Sequence, residues 1–193
     1  MQDPRLASCF QQSESSKYLA FTLPYLVGNG LDIGSGGWPV VPWAIQVELP
    51  AEKFLYYTNG RPIPATTEWL GDICNLPFKD GTLDFVYSSH LIEDFSRTEL
   101  PDQPELPTWP KLFKEWTRCL KPGGYLVILV PECELWAAAI ARGQPPNCSH
   151  WAPEPSVGDF TEAAKAAGLI VIEERLTKID DKDYSILGVA KKP

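Results

Sequence analysis

One segment constrains this chain more than any other: Gly30-Leu31-Asp32-Ile33-Gly34-Ser35-Gly36-Gly37, an apolar run that passes through an acid directly into a glycine cluster. Glycine is required where the backbone must turn tightly and let a ligand reach the main chain within van der Waals distance. An ordinary tight turn would also use glycines, so the residues beyond the cluster decide between the two. Glu48 closes the next apolar run, where a carboxylate is placed to accept both hydroxyls of a ribose. Gly71-Asp72-Ile73 closes the third, pairing a carboxylate with a free backbone amide that suits the edge of an adenine. Leu83-Asp84-Phe85-Val86-Tyr87-Ser88-Ser89-His90 is a fourth run with a polar exit. Successive strand ends therefore put polar groups on one rim, the place where open α/β sheets bind ligands.

The rest of the chain fits that reading. From Gly30 onward, short apolar segments alternate with polar or amphipathic connections, the pattern of a parallel sheet covered by helices. Strands are expected at Gly30–Ile33, Ala44–Leu49, Thr67–Leu70, Leu83–Ser88, Tyr125–Val130, Leu169–Leu176 and Ser185–Ala190. Helices are expected at Ser13–Leu26, Trp109–Leu120, Glu134–Arg142 and Val157–Ala167, the second closed by Lys121-Pro122-Gly123-Gly124 and the last by Gly168. The proline-rich stretches Ser96–Pro110 and Gly143–Pro155 read as loops or lids on the side where strands end.

Composition sets outer bounds. With 193 residues and 44% hydrophobic content, the chain suits one core rather than two full domains. Seventeen basic residues, scattered rather than clustered, stand against 25 acidic ones, a formal charge of −8. Direct nucleic-acid binding is not expected from such a surface. Met1–Phe10 lacks the basic segment and apolar run of a secretory signal, and Tyr125–Val130 is far too short to span a bilayer, so a cytoplasmic protein with no membrane attachment is expected. Cys9, Cys74, Cys119, Cys133 and Cys148 are odd in number, form no Cys-x-x-Cys pair and lie at no metal-ligand spacing to histidine. Reduced thiols and no metal are expected.

Taken as a set, Leu31-Asp32-Ile33-Gly34-Ser35-Gly36, Gly71-Asp72-Ile73-Cys74-Asn75-Leu76-Pro77-Phe78, Leu83 to Glu93 and Leu120-Lys121-Pro122-Gly123-Gly124-Tyr125-Leu126 resemble successive motifs of the type 11 class I methyltransferases. The resemblance covers roughly residues 28–130. It implies a Rossmann-like, mostly parallel seven-stranded α/β sheet with helices on both faces and the last strand antiparallel. It further implies S-adenosylmethionine as methyl donor, S-adenosylhomocysteine as product and no metal. By motif position, Asp32, Gly34, Ser35, Gly36 and Gly37 would line the amino-acid end of the cofactor, and Glu48, with Leu49 beside it, the ribose. Asp72 and Ile73 would meet the adenine, while Ser88 and His90 would lie near the sulfonium and the acceptor. The expected organisation is a single methyltransferase domain over residues 1–193, with 1–27 as a helical segment packing over the cofactor site, acting as a monomer or homodimer.

The chain departs from the family where Trp38 stands in place of a third turn glycine, followed by Pro39 and Pro42. So few residues separate Gly37 from Ala44 that the first crossover helix is expected to be short or missing. The Trp38 indole is expected to pack in the core, with a cover over the methionine end as the other option.

Methyl transfer from a sulfonium gains chiefly from alignment, and well-oriented pairs account for roughly 7–11 kcal/mol of barrier reduction. A base adds about 10²–10⁴-fold when the acceptor is a hydroxyl. His90 is the candidate base, since a histidine's unperturbed pKa of roughly 6.5 suits proton uptake near neutrality; packing beside the cofactor or capping the next helix are its other roles. His150 is expected at the surface, and Glu93 and Asp94 at a helix start. Tyr18, Trp109, Trp136 and Trp151 could surround the acceptor or the sulfonium, but an aromatic helix stripe reads as core. The leading reading is transfer to a small-molecule or carbohydrate-like acceptor, at oxygen. The alternative is a methyltransferase-like binding or regulatory protein without catalysis. A nicotinamide-dependent reductase fits poorly, since neither a Gly-x-Gly-x-x-Gly turn nor a Tyr-x-x-x-Lys pair is in place.

Overall fold

The computed structural model describes residues 14–48, 69–147, 149–151, 153–180 and 183–193. Its strands are β1 (Gly30–Ile33), β2 (Ala44–Glu48), β3 (Trp69–Leu70), β4 (Leu83–Ser89), β5 (Leu120–Val130), β6 (Ile170–Lys178) and β7 (Tyr184–Lys191). They form one seven-stranded sheet in the order β3-β2-β1-β4-β5-β7-β6. Strand β1 pairs in parallel with both β2 and β4, so the strand order reverses around it. That reversal opens a crevice at the carboxyl ends of β1 and β4, where this class of sheet binds its ligands. Strand β7 is antiparallel to both neighbours, as expected. Of the expected third strand, Thr67 and Glu68 lie outside the described residues, as do Ser13 of the leading helix and the thiols Cys9 and Cys148.

Alternation along the strands builds two cores. Leu31, Ile33, Leu126, Ile128 and Val130 face one side, where α3 (Trp109–Cys119) and α5 (Asp159–Ala166) lie. Helix α3 earns its place through a stripe at helical spacing: Trp109, Leu112, Phe113, Trp116 and Cys119 are all buried. Its two indoles also hold backbone, Trp109 donating to the Ile92 carbonyl (2.7 Å) and Trp116 to that of Ile73 (2.9 Å). Trp109 is thus a core residue and not part of an acceptor site. Helix α5 is fixed at its start by Glu174, whose carboxylate accepts from the amides of Gly158, Phe160 and Thr161. A negative charge there complements the helix dipole.

On the opposite face, Phe85, Tyr87, Val127, Leu129, Leu187 and Val189 are covered by Tyr18, Leu19 and Leu26 from the amino-terminal segment and by Val40 and Val41. Tyr18 is therefore core as well. The single leading helix expected there is instead two short turns, α1 (Glu14–Lys17) and α2 (Leu19–Thr22), and then a 3-10 turn, Leu23–Tyr25. Pro24 lacks an amide hydrogen and crowds the preceding turn, so the α-helix cannot continue through it.

Residues 34–43 contain no helix between β1 and β2, as the short spacing requires. Val40 and Val41 fill the space beneath that a crossover helix would otherwise cover. One boundary differs from expectation: Lys121-Pro122-Gly123-Gly124 is not a turn ahead of β5 but an irregular stretch inside it. Leu120 pairs with Leu83 before the register shifts and Tyr125 meets Phe85. Helix α4 (Cys133–Ala141) follows β5. Among the described residues no helix is long and apolar enough to cross a membrane.

Candidate functional site

The glycine turn is built by positive backbone angles at Gly34 (φ 80°), Gly36 (φ 60°) and Gly37 (φ 89°), conformations that side-chain-bearing residues rarely adopt. The Gly34 amide donates to the Val47 carbonyl (2.9 Å), continuing the β1–β2 ladder into the turn. A methyl at Gly34 would meet Leu91 Cδ2 at 2.9 Å, so this glycine lets the segment after β4 close over the turn. A methyl at Gly36 would meet nothing within 4 Å, which leaves its bare backbone facing open space.

Two carboxylates organise the turn from within. Leu31 and Ile33 face the α3 side, so Asp32 points to the opposite face, where its Oδ2 accepts from the Val40 amide (2.6 Å). Asp32 is only 1% exposed. Burial, with some help from the charge of Glu48 and against the Val40 hydrogen bond, pushes its pKa up to about 8. It therefore anchors the returning arm of the turn and holds its proton at neutral pH. Glu48, at the tip of β2, accepts on one oxygen from the Gly36 amide (2.6 Å) and the Ser35 hydroxyl (3.2 Å). Burial raises its pKa too, and those two hydrogen bonds oppose the rise. Leu49 lies outside the described residues.

Asp72 is exposed beyond β3; its Oδ1 accepts from the Cys74 amide (2.8 Å), which fixes the carboxylate at the rim. Ile73 sends its side chain into the core, so only its backbone is available to a ligand. Ser88 is buried and donates to the Ile33 carbonyl (2.9 Å), locking the end of β4 to the residue before the glycine turn. Trp38, expected in the core, is 49% exposed. The short loop commits Val40 and Val41 to the interior, and the indole is left outside.

Beyond Ser88 the backbone enters the left-handed region at His90 (φ 51°), which among the described residues is the one non-glycine to do so. Such strain clusters at functional sites. Both imidazole nitrogens of His90 face polar groups: Nε2 lies 3.0 Å from Ser185 Oγ and Nδ1 3.4 Å from Glu93 Oε1. Glu93 and Asp94 stand in a single 3-10 turn, Ile92–Asp94, rather than at the start of a full helix. Burial, and next the neighbouring Glu93 charge, pushes Asp94 up to about 7.

His150, expected at the surface, is partly buried, its side chain 8% exposed. Its Nδ1 lies 2.8 Å from Glu154 Oε1, its Nε2 3.9 Å from Glu93 Oε1, and its ring packs on Trp136 with centroids 4.9 Å apart. The second proline-rich segment is drawn in by backbone contact, the Trp151 amide donating to the Glu93 carbonyl (2.8 Å). Arg97 joins the two proline-rich stretches by donating to the Pro153 carbonyl (2.7 Å). Between the second stretch and the ends of β4 and β5 is a polar cavity of about 230 Å³ whose lining includes His90, Glu93, Trp136, Asn147, His150 and Tyr184. Trp151 is 41% exposed. The sequence signal that could have found this group is the four-residue spacing of His150 and Glu154.

Among the described residues no cluster of three or more histidine, cysteine or acidic side chains could hold a metal. Cys74, Cys119 and Cys133 are free thiols, and burial pushes the first two up to about 11. Those two remain protonated and unreactive at neutral pH.

Residues 50–128 match the sequence profile of a methyltransferase domain, Methyltransf_11. Over that stretch the chain resembles the type 11 methyltransferases. It is 32% identical over 109 residues to the biotin biosynthesis bifunctional protein BioHC of Cellvibrio japonicus, an alignment covering 52% of this chain and 20% of that protein. The matched part is thus about a fifth of that relative's length. The fold resembles an S-adenosylmethionine-dependent methyltransferase from Mesorhizobium loti, at 18% identity and TM-score 0.61, covering 95% of this chain and 100% of that one. It also resembles the magnesium protoporphyrin IX methyltransferase of Synechocystis, solved with S-adenosylhomocysteine bound, at 13% identity and TM-score 0.58, covering 93% and 82%. Class I type 11 enzymes use S-adenosylmethionine, and three groups of this rim fit it chemically: bare backbone at Gly36, a carboxylate beside it on β2 and an exposed carboxylate beyond β3.

Proposed function

We propose that this chain transfers the methyl group of S-adenosylmethionine to a hydroxyl of a small-molecule or carbohydrate-like acceptor. The observation that carries the reading is the polar cavity at the exit of β4, two residues past the Ser88 that is tied to the glycine turn. Its volume of about 230 Å³ lies below the roughly 300–1,000 Å³ of sites for drug-sized ligands, which suits one small ring or chain end. When bound, the cofactor supplies an electrophilic methyl group on a sulfonium.

In this proposal the turn Gly34, Ser35, Gly36 and Gly37 holds the amino-acid end, with Asp32 bracing that turn from beneath through the Val40 amide, and Glu48 with Leu49 holds the ribose. Asp72 and the backbone of Ile73 take the adenine edge, with Ser88 supporting the floor between the two sites. His90 stands beside the acceptor, its ring held by Ser185 and Glu93. The proposal treats residues 1–193 as one domain, with 1–27 packing over the cofactor site, cytoplasmic and acting as a monomer or homodimer on a free acceptor.

A ligand that binds only the native chain raises its stability by about 2.7 kcal/mol at a hundredfold excess over Kd. S-adenosylmethionine and S-adenosylhomocysteine are expected to raise the melting temperature, and nicotinamide dinucleotides to leave it unchanged. Stabilisation by the dinucleotides alone would overturn the proposal. The missing crossover helix and the exposed Trp38 favour one second reading, a cofactor-binding regulatory protein without catalysis. It predicts the same thermal shift with no methyl transfer to any hydroxyl acceptor.

A further inference from the structure

We propose that His150, oriented by Glu154, is the proton acceptor of this site, which makes the second proline-rich segment part of the active centre. The inference rests on the methyltransferase reading and names the residue that does its acid–base work. The Ser185 hydroxyl donates to the Tyr184 carbonyl, so His90 Nε2 donates to Ser185 Oγ and the acceptor nitrogen of the neutral ring, Nδ1, faces Glu93 Oε1 at 3.4 Å. His90 is thus suited to shape the cavity rather than to take a proton from an acceptor. His150 has the opposite arrangement. Its Nδ1 is 2.8 Å from Glu154 Oε1, a contact that requires the nitrogen to carry the hydrogen, since a carboxylate can only accept. In the neutral ring the lone pair then falls on Nε2. That nitrogen is 3.9 Å from Glu93 Oε1, beyond hydrogen-bond distance, and the ring lines the cavity. A carboxylate that fixes the tautomer and a histidine that offers the far nitrogen to a reacting hydroxyl are the two working parts of the acid–base arrangement found in hydrolase triads.

The groups facing His150 are Glu154 from its own segment, Glu93 and Asp94 from the turn after β4, His90 from the strand exit and Tyr184 from β7. Glu93 Oε2 and Glu154 Oε2 are buried with no hydrogen-bond partner among the described residues. Two such carboxylates stabilise a positive charge between them, and that charge is the imidazolium formed when His150 accepts a proton. In the step, the acceptor oxygen bonds to the methyl carbon as the carbon–sulfur bond breaks and its electron pair stays on sulfur. The hydroxyl proton passes to His150 Nε2. An acceptor held here is uncharged or cationic, since an anion would meet Glu93, Asp94 and Glu154.

Only two histidines are present, so long-range proton–nitrogen spectra of the full labelled chain with S-adenosylhomocysteine are assigned by a single His90→Gln substitution. The expected result is a His150 ring protonated at Nδ1 in its neutral form, a preference kept in Glu154→Gln, whose amide oxygen still accepts, and lost in Glu154→Ala. An Nε2-protonated ring, or a tautomer indifferent to Glu154→Ala, overturns the proposal. The tautomer is read on the unsubstituted chain and does not depend on any variant folding. In turnover, followed as S-adenosylhomocysteine formed with catechol and methyl glucoside as hydroxyl probes, His150→Gln is expected to lower kcat by about 10²–10⁴-fold at unchanged KM for the methyl donor. Unchanged kcat overturns the role of His150, and so does a chain that binds S-adenosylhomocysteine yet methylates neither probe. Absence of any cofactor-induced thermal shift, with the expected tautomer in place, would instead overturn the methyltransferase reading and leave the Glu154–His150 pair standing.

Discussion

Replacing Asp32 by Asn should change how stability depends on pH far more than it changes the structure. Asn keeps an oxygen to accept from the Val40 amide at the position Asp32 Oδ2 now holds, 2.6 Å away, and it cannot ionise. Burial raises the Asp32 pKa from 3.8 to about 8. Below the lower value both folded and unfolded chains are protonated there, and the carboxyl's contribution to stability is complete. Between the two values the unfolded chain loses the proton while the folded chain keeps it, so stability falls as pH rises, and the loss ends above the folded value. Each pH unit in that interval is worth about 1.4 kcal/mol, or about 2.7 kcal/mol from pH 5 to 7. Glu48 and Asp94 are shifted in the same direction, but they are present in both proteins and cancel in the difference. Urea unfolding at pH 5, 6 and 7 should therefore show Asp32→Asn gaining about 2–3 kcal/mol on the parent across the range. Parallel stability curves would refute a protonated Asp32 inside the fold.

Three further outcomes are expected. Glu48→Ala removes the carboxylate beside the Gly36 amide, and calorimetric titration should show S-adenosylhomocysteine bound at least tenfold more weakly, about 1.4 kcal/mol or more; equal affinity would mean the ribose lies elsewhere. Gly188→Ala would put a methyl 2.4 Å from the Phe160 ring, and chemical denaturation should register a loss of about 1–3 kcal/mol, whereas wild-type stability would show that the ring yields freely. Glu174→Ala strips three amides at the start of α5 of their shared acceptor, for a loss of about 1–2 kcal/mol, with Glu174→Gln losing less; equal losses would point to packing rather than charge.

Much of the architecture was legible without coordinates because strand ends carry their own markers. The apolar runs at Gly30, Ala44 and Leu83 each end in the residues the structure places at the sheet's rim, and periodicity located a helix at Trp109–Leu120, one residue longer than the Trp109–Cys119 observed with its buried stripe. The missing crossover helix followed from counting residues between Gly37 and Ala44. What local pattern could not supply was direction. Asp32 looked like a rim carboxylate, yet strand alternation turns it inward, where it anchors the returning arm at Val40. Trp38 looked like core and stands in solvent because Val40 and Val41 occupy the interior that so short a loop can reach.

The chain's own order of strands, turns and acids determined which elements form and that their polar ends share an edge, since those depend on backbone preferences and spacing within a dozen residues. The fold alone decided which distant groups meet. His150 is 57 residues from Glu93 and has no local reason to be partly buried; it is drawn in by the Trp151 amide on Glu93 and by the Arg97 bond to Pro153. Contacts of that kind come from a proline-rich segment folding back over a sheet edge, and no periodicity along the chain encodes where such a segment comes to rest.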